Sequence, residues 1–124
     1  MKILLVDYSA EDRARVHKKL KDAIQNSVLL ETDSFAKARA IANEEHPDIM
    51  VVEIVAEKGF RHGMQFVSGM RETRPNMPII VYSHETMLGI ADAMVKIGVS
   101  AVVPKSSGVP NELTDAVRVF GLLR

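Results

Sequence analysis

The stretch ILLVDYSAEDR, residues 3–13, places a continuous apolar run directly before the start of a helix. Four apolar residues in succession, with no alternation between apolar and polar positions, are typical of a strand covered on both faces, as in a parallel sheet. Ser9 is a favourable N-cap residue, and Asp12, three positions later, predicts a capping box in which Asp replaces the more usual Glu. The stretch therefore predicts a strand that leads straight into an amphipathic helix.

The same succession of apolar run and amphipathic stretch occurs five times along the chain. The other runs cover residues 28–30, 49–52, 79–82 and 101–103. Residues that favour helix boundaries predict helices that begin near Ser34 and Pro110 and end before Pro47, before Pro75 and at Gly98. Five strand–helix repeats require right-handed crossovers, which predicts a doubly wound, three-layer α/β/α sandwich around a five-stranded parallel sheet.

The composition restricts the classes of function. The chain has 124 residues, which predicts one domain over residues 1–124. Sixteen basic residues balance sixteen acidic ones, so we expect neither nucleic acid nor a membrane surface as a partner. The absence of cysteine excludes disulfides, thiolate metal sites and cysteine nucleophiles. No apolar run reaches the length of a transmembrane helix, and the expected location is the cytoplasm.

Polar residues follow four of the five apolar runs. Asp7 follows the first, Glu53 the third and Ser83 the fourth, and Lys105 comes shortly after the fifth. The carboxyl ends of parallel strands meet at one edge of the sheet, where sites in such folds lie. On spacing alone, four solvated strand ends would explain the same pattern.

Four segments, in this order, carry a resemblance to a known family. They are ILLVDYSAEDR (3–13), PDIMVVEI (47–54), PIIVYS (78–83) and GVSAVVPKS (98–106), and together they resemble the receiver domain of two-component response regulators over nearly the whole chain. The resemblance implies a flavodoxin-like fold with strand order 2-1-3-4-5. It also implies a role in signal transduction, in which a receiver takes a phosphoryl group from a histidine kinase.

The resemblance implies a role for each polar strand end. Glu53 stands where the family has its phosphoacceptor aspartate. Asp7 matches the first member of an acidic pair that holds Mg²⁺, and Tyr8 replaces the second. Ser83 and Lys105 match the hydroxyl and the ammonium that bind the phosphoryl group.

Further positions depart from the family pattern. Val102 replaces the aromatic switch residue of the fifth strand, and His84 stands where a small residue keeps the phosphoryl pocket open. Glu57 replaces the usual proline of the loop after the acceptor. The matching Gly63 comes ten residues after Glu53 instead of about eight, so this loop is longer and charged.

These departures predict that the phosphoryl chemistry is lost. The extra methylene of Glu53 displaces its carboxylate by about 1 Å, which is costly in a reaction that depends on position. Tyr8 is a poor Mg²⁺ ligand, so we expect no cofactor and, with Asp7 as a weak candidate ligand, at most weak Mg²⁺ binding. We expect Glu53 instead to pair with Lys105 beside Ser83, on the assumption that the third and fifth strands flank the first. Such a pair is compatible with a structural role and with a permanent mimic of the phosphorylated state.

The preferred hypothesis is a signalling domain without enzymatic activity that acts through protein partners, such as a histidine kinase or an output domain. A homodimer or docking surface is expected on the face of the fourth helix, fifth strand and fifth helix. Its apolar residues are Met87, Leu88, Val102, Val119 and Leu122. One alternative is a functional receiver that is phosphorylated at Glu53. Another is a nucleotide- or flavin-binding domain, although residues 8–11 offer no glycine for a phosphate turn. His84 is compatible with a pH-sensitive gate or with a loop histidine that has no role.

Overall fold

The computed structural model describes residues 1–56, 59–84, 90–105 and 111–122. Strands and helices alternate along the chain, as predicted: β1 (Lys2–Val6), α1 (Ala10–Ala23), β2 (Val28–Thr32), α2 (Phe35–Glu45), β3 (Ile49–Val52), α3 (Arg61–Thr73), β4 (Ile79–Ser83), α4 (Ile90–Lys96), β5 (Ala101–Pro104) and α5 (Glu112–Leu122). Five residues named in the predictions lie outside the described residues: Glu57, Met87, Leu88, Ser106 and Pro110.

The five strands form one parallel sheet in the order β2-β1-β3-β4-β5. The predicted fold class and strand order are confirmed. The assumption that the third and fifth strands both flank the first is wrong, because β1 lies between β2 and β3 while β5 pairs with β4 at the far edge. The chain reverses its direction of progress across the sheet between β1 and β3, where Val6 lies opposite Val52. Ligands of doubly wound sheets bind beside such a reversal.

The core occupies both faces of the sheet. Leu4 and Val6 face the side covered by α2, α3 and α4, whereas Ile3 and Leu5 face the side covered by α1 and α5. This division explains why β1, β3 and β4 are apolar at successive positions, since these three strands bury both of their faces, whereas the edge strand β2 is partly exposed. The resulting rigid sheet fixes the positions of the residues that follow each strand.

The first helix begins as predicted, although the capping box is incomplete. The Asp12 backbone N–H donates to Ser9 Oγ at 3.2 Å, which confirms Ser9 as the N-cap. The Ser9 N–H donates to Asp7 Oδ1 at 2.9 Å, and the Asp12 carboxylate lies elsewhere. The return half of the capping box is therefore wrong, because two cationic side chains and an imidazole compete for the Asp12 side chain.

No helix in the described parts of the chain is both long and apolar enough to cross a membrane.

Candidate functional site

Lys105 is the centre of an ion cluster at the carboxyl edge of the sheet. Its Nζ lies 2.6 Å from Asp7 Oδ2, 2.9 Å from Asp12 Oδ2 and 3.2 Å from Glu53 Oε1. Only 5% of the Lys105 side chain is exposed, so the three carboxylates replace the water that an ammonium normally binds. We call these four residues the Lys105 cluster.

Neighbouring strands bring two of these carboxylates together. Asp7 and Glu53 follow β1 and β3, whose last residues lie opposite each other in the sheet. Lys105 approaches from β5, where its backbone N–H donates to the Ser83 carbonyl at 2.8 Å. The predicted Glu53–Lys105 ion pair is present, but the long lysine side chain reaches it across β4 and not from an adjacent strand.

Glu53 is held on both of its carboxylate oxygens. The Val55 N–H donates to Oε2 at 3.2 Å, and the His84 N–H donates to Oε1 at 3.3 Å, beside the contact with Lys105. Only 1% of the Glu53 side chain is exposed. A reaction of this carboxylate with a phosphoryl donor would have to break at least one of these contacts and open a route from solvent.

The structure separates the two residues that the resemblance assigns to the family's acidic pair. Asp7 is buried and divides its oxygens between the Ser9 N–H and Lys105. Tyr8 is 52% exposed, and no hydrogen bond joins its side chain to the Lys105 cluster within the described residues. Tyr8 is therefore absent from the ion cluster, as its neutral side chain would suggest.

Asp12 is the cluster member that the sequence analysis missed. It lies in the first turn of α1, and its Oδ2 contacts both Lys105 and, at 3.2 Å, His84 Nε2. Its Oδ1 accepts a hydrogen bond from the Arg15 guanidinium. The sequence signal was present, because side chains in the first turn of a helix point back toward the preceding strand end. Assignment of Asp12 to the capping box concealed it.

The charges in the cluster shift its ionisation equilibria. The hydrogen bond from Lys105 lowers the pKa of Asp12 to about 2, although burial acts in the opposite direction. The charge of Lys105 and the hydrogen bonds from Arg15 and His84 also lower this pKa. Burial alone would lower the pKa of Lys105, but its hydrogen bonds to Asp7 and Asp12 and the charge of Glu53 raise it above the ordinary lysine value. Asp12 and Lys105 are therefore both ionised near neutral pH.

His84, Ser83 and Val102 occupy different environments. The His84 side chain is largely exposed, yet its ring contacts Asp12 and its backbone N–H contacts Glu53, so it is tied to the cluster at two points. Ser83 is buried at the end of β4. Val102 is half-buried against the α2, α3 and α4 side of the core and opposite Val81 in the sheet. Val102 thus belongs to packing between β5 and the helices of that side.

The family resemblance implies a Mg²⁺ ion at this edge of the sheet, but the arrangement of the Lys105 cluster does not fit one. Magnesium needs oxygen ligands that are free to point at it in an octahedral arrangement. Here the Lys105 ammonium takes the central position between the three carboxylates and would repel a second cation. No group of three or more acidic, histidine or cysteine side chains is placed to hold a metal ion in the part of the chain that the structure describes.

Substitution of Asp12 by asparagine is expected to change how stability depends on acid. A carboxylate whose pKa is lowered on folding contributes stability above its unfolded value, and this contribution is lost as the pH falls through the folded value. For Asp12 the loss runs from its ordinary pKa of 3.8 down to about 2. Urea unfolding at a series of pH values should therefore show a shallower acid decline in Asp12→Asn.

Asp22→Asn is the matched control, because Asp22 is an exposed acid in the last turn of the same helix. It should leave the acid decline of the wild type unchanged. If Asp12→Asn and Asp22→Asn gave the same pH profile, the Lys105–Asp12 contact would contribute nothing to folding.

The chain is similar to proteins of two-component signalling. Residues 3–118 match the family model of the response regulator receiver domain. The photosynthetic apparatus regulatory protein RegA of Cereibacter sphaeroides is 32% identical over 120 residues, which is 96% of this chain and 62% of that protein. The glycerol metabolism activator of Pseudomonas putida is 23% identical over 116 residues, which is 94% of this chain and 52% of that protein. The chain thus spans between half and two thirds of these relatives.

Solved structures show the same fold. A two-component response regulator of the LuxR family from Aurantimonas sp. SI85-9A1 superposes with a TM-score of 0.87 at 22% identity, covering 99% of this chain and 86% of that one. A response regulator receiver domain protein from Clostridium thermocellum superposes with a TM-score of 0.84 at 19% identity, covering 98% and 94%.

Proposed function

Because this chain belongs to the response regulator receiver domain family, we propose that it signals through contacts with protein partners and without phosphorylation of Glu53. Membership of this family of signalling domains favours this function over a nucleotide- or flavin-binding one. The observation that carries the proposal is the occupancy of Lys105, whose ammonium is already shared among three carboxylates of its own chain.

Phosphoryl transfer requires a nucleophile in line with the leaving group and cations that neutralise the equatorial oxygens. Glu53 is buried, and both of its oxygens accept hydrogen bonds. Lys105, which matches the lysine that binds the phosphoryl group in the family, is neutralised by Asp7, Asp12 and Glu53. The nucleophile and the cation are therefore engaged with each other, which supports a fixed state of the domain and the absence of enzymatic activity.

Treatment with acetyl phosphate and Mg²⁺ should leave the intact mass of the protein unchanged. The reason is that no carboxylate of the Lys105 cluster combines exposure, a free oxygen and a free cation beside it. Mass spectrometry before and after incubation measures this directly, and a receiver with an aspartate acceptor serves as the control for the donor. A gain of one phosphoryl group that maps to Glu53 would overturn the proposal in favour of a functional phospho-receiver.

The proposed partner surface lies on α4, β5 and α5. Val95 on α4 and Val119 on α5 are exposed, and Leu122 is 82% exposed at the end of α5. Exposed apolar patches on small domains mark interaction surfaces. We propose that a histidine kinase, an output domain or a second copy of the chain covers this face in the cytoplasm. The curated relatives support an output domain as partner, because this chain spans 62% and 52% of their lengths.

A further inference from the structure

A second surface, distinct from the α4, β5 and α5 face, lies where the connection after β3 enters α3. A groove of about 450 Å³ is lined there by Gly59, Phe60, Arg61, Met64 and Gln65. Ala56 and Gly59 exchange backbone hydrogen bonds of 3.2 and 2.9 Å, and Gly59 has a φ of 88°, so the chain turns sharply before Phe60. We call this surface the Phe60 groove. It lies in the loop whose length departs from the family pattern.

We propose that the Phe60 groove binds an acidic segment of a partner protein that carries an apolar side chain. The inference rests on the proposed function, since it names a class of partner for a domain that signals by protein contact. It adds a contact surface that neither the sequence pattern nor the family resemblance identified.

Phe60 and Met64 form the apolar part of the groove. Phe60 is 37% exposed, although a phenylalanine is among the residues that a fold normally buries. Met64 lies one turn further along α3 and is half-buried. Aromatic residues, methionine and arginine are enriched at the centres of protein interfaces, and methionine adapts its shape to varied partners. The groove therefore offers an apolar side chain an aromatic wall and a flexible base.

Arg61 and the first turn of α3 give the rim of the groove its positive charge. Arg61 and His62 are exposed, and neither forms an ion pair within the described residues. The first turn of α3 contains no acidic residue and has no side-chain cap, unlike the first turn of α1, which holds Glu11 and Asp12. The dipole of α3 and the Arg61 guanidinium both attract negative charge to the rim of the groove. A carboxylate beside the apolar anchor of the partner would complement both.

The groove is also connected to the Lys105 cluster. The Val55 N–H, at the start of the same connection, donates to Glu53 Oε2 at 3.2 Å. The position of this loop is thus set in part by the carboxylate that takes the place of the family's acceptor. A partner in the groove would contact a segment whose position depends on the state of the cluster.

The test is titration of the whole chain, labelled with ¹⁵N, with a short acetylated peptide that has a Leu-Phe-Leu centre and flanking Asp and Glu residues. Saturable amide shifts are expected at residues 59–65. A Kd of about 1 mM is expected for so short a peptide. Two control peptides separate the contributions: one has Lys and Arg flanks, and one has a serine centre. Both should bind at least ~10-fold more weakly, because each lacks one half of the recognition.

Variants make the assignment specific. Phe60→Ser should weaken binding about tenfold or more, because it removes the aromatic wall. Arg61→Glu should weaken binding and reduce its dependence on salt. Val28→Ser, which removes a similarly exposed apolar residue on β2, should leave the affinity unchanged.

Three results would overturn the inference: shifts centred on residues 90–104 and 112–122, equal binding of the basic peptide, or no effect of either groove variant. Arg61→Glu keeps the test decisive if Phe60→Ser does not fold. The phosphodonor experiment tests phosphorylation of Glu53, and the peptide titration tests the Phe60 groove. The peptide can therefore fail to bind while Glu53 stays unmodified, and Glu53 can be phosphorylated while the peptide still binds.

Discussion

Replacement of Lys105 by methionine is expected to lower the free energy of unfolding by about 3–5 kcal/mol near neutral pH. The substitution leaves the carboxylates of Asp7, Asp12 and Glu53 close together and without the cation that they share. Removal of one partner from a buried ion cluster costs more than the net strength of the cluster, because the remaining charges stay buried and uncompensated. Urea denaturation measures the loss, which should shrink in acid, because the wild type loses the Lys105–Asp12 contribution as Asp12 takes up a proton.

Two comparisons keep this prediction specific to the cluster. Lys37→Met removes an exposed lysine that pairs with Asp33, and it should cost less than about 0.5 kcal/mol. Glu53→Gln alone should cost about 1–3 kcal/mol, and the double change with Lys105→Met should recover part of the summed loss. Strict additivity in this cycle would mean that Glu53 and Lys105 do not interact in solution.

Replacement of Gly63 by alanine should destabilise the fold by about 3 kcal/mol, or prevent folding at physiological temperature. A Cβ at this position would overlap the Ile54 carbonyl oxygen and lie 2.7 Å from the Ile54 Cα. Backbone atoms cannot move aside as a flexible side chain can, so α3 would have to shift away from the chain that follows β3. Thermal and urea denaturation of the purified variant measure the loss.

Gly69→Ala is the matched control, because a Cβ added at Gly69, in the same helix, would lie 3.5 Å from the Arg39 guanidinium, which is an ordinary van der Waals contact. Alanine favours a helix over glycine by about 0.5–1 kcal/mol, so this variant should be slightly more stable than the wild type. If both variants lost stability equally, the cost would come from α3 in general and not from the close approach of Gly63 to Ile54.

The fold could be predicted because its signals are local. Apolar runs without alternation, such as the one at residues 49–52, identify strands that are buried on both faces. Ser9 and Ser34 mark the first residues of two helices through bonds to backbone N–H groups three positions later. The glycine signal was as informative, because α4 ends at Lys96 and Gly98 follows it with a φ of 98°. The Gly98 and Val99 N–H groups donate to the Val95 and Met94 carbonyls, which confirms the predicted glycine cap at the end of this helix.

The candidate site could be predicted only in part. The convergence of Asp7, Glu53 and Lys105 at one sheet edge follows from the position of each residue after a strand. The route of the contact does not follow from these positions. The reach of the lysine side chain across β4 depends on rotamers and distances that a linear pattern does not contain. Asp12 was missed for a related reason. Asp12 fits both the capping-box pattern and a position beside the sheet edge. The position of Lys105, which the sequence pattern does not contain, decides between the two.

The Lys105 cluster also bears on the order in which the domain assembles. Lys105 follows Asp7 by 98 residues, and β5 contacts the rest of the sheet only through β4. Contacts between such distant residues form late in folding, because the entropy of closing the intervening loop must be overcome first. A nascent chain that has made β1 through β4 therefore holds the acids of β1 and β3 side by side without their cation. Docking of the last strand removes that repulsion, so the edge strand and the centre of the sheet should fold and unfold as one cooperative unit.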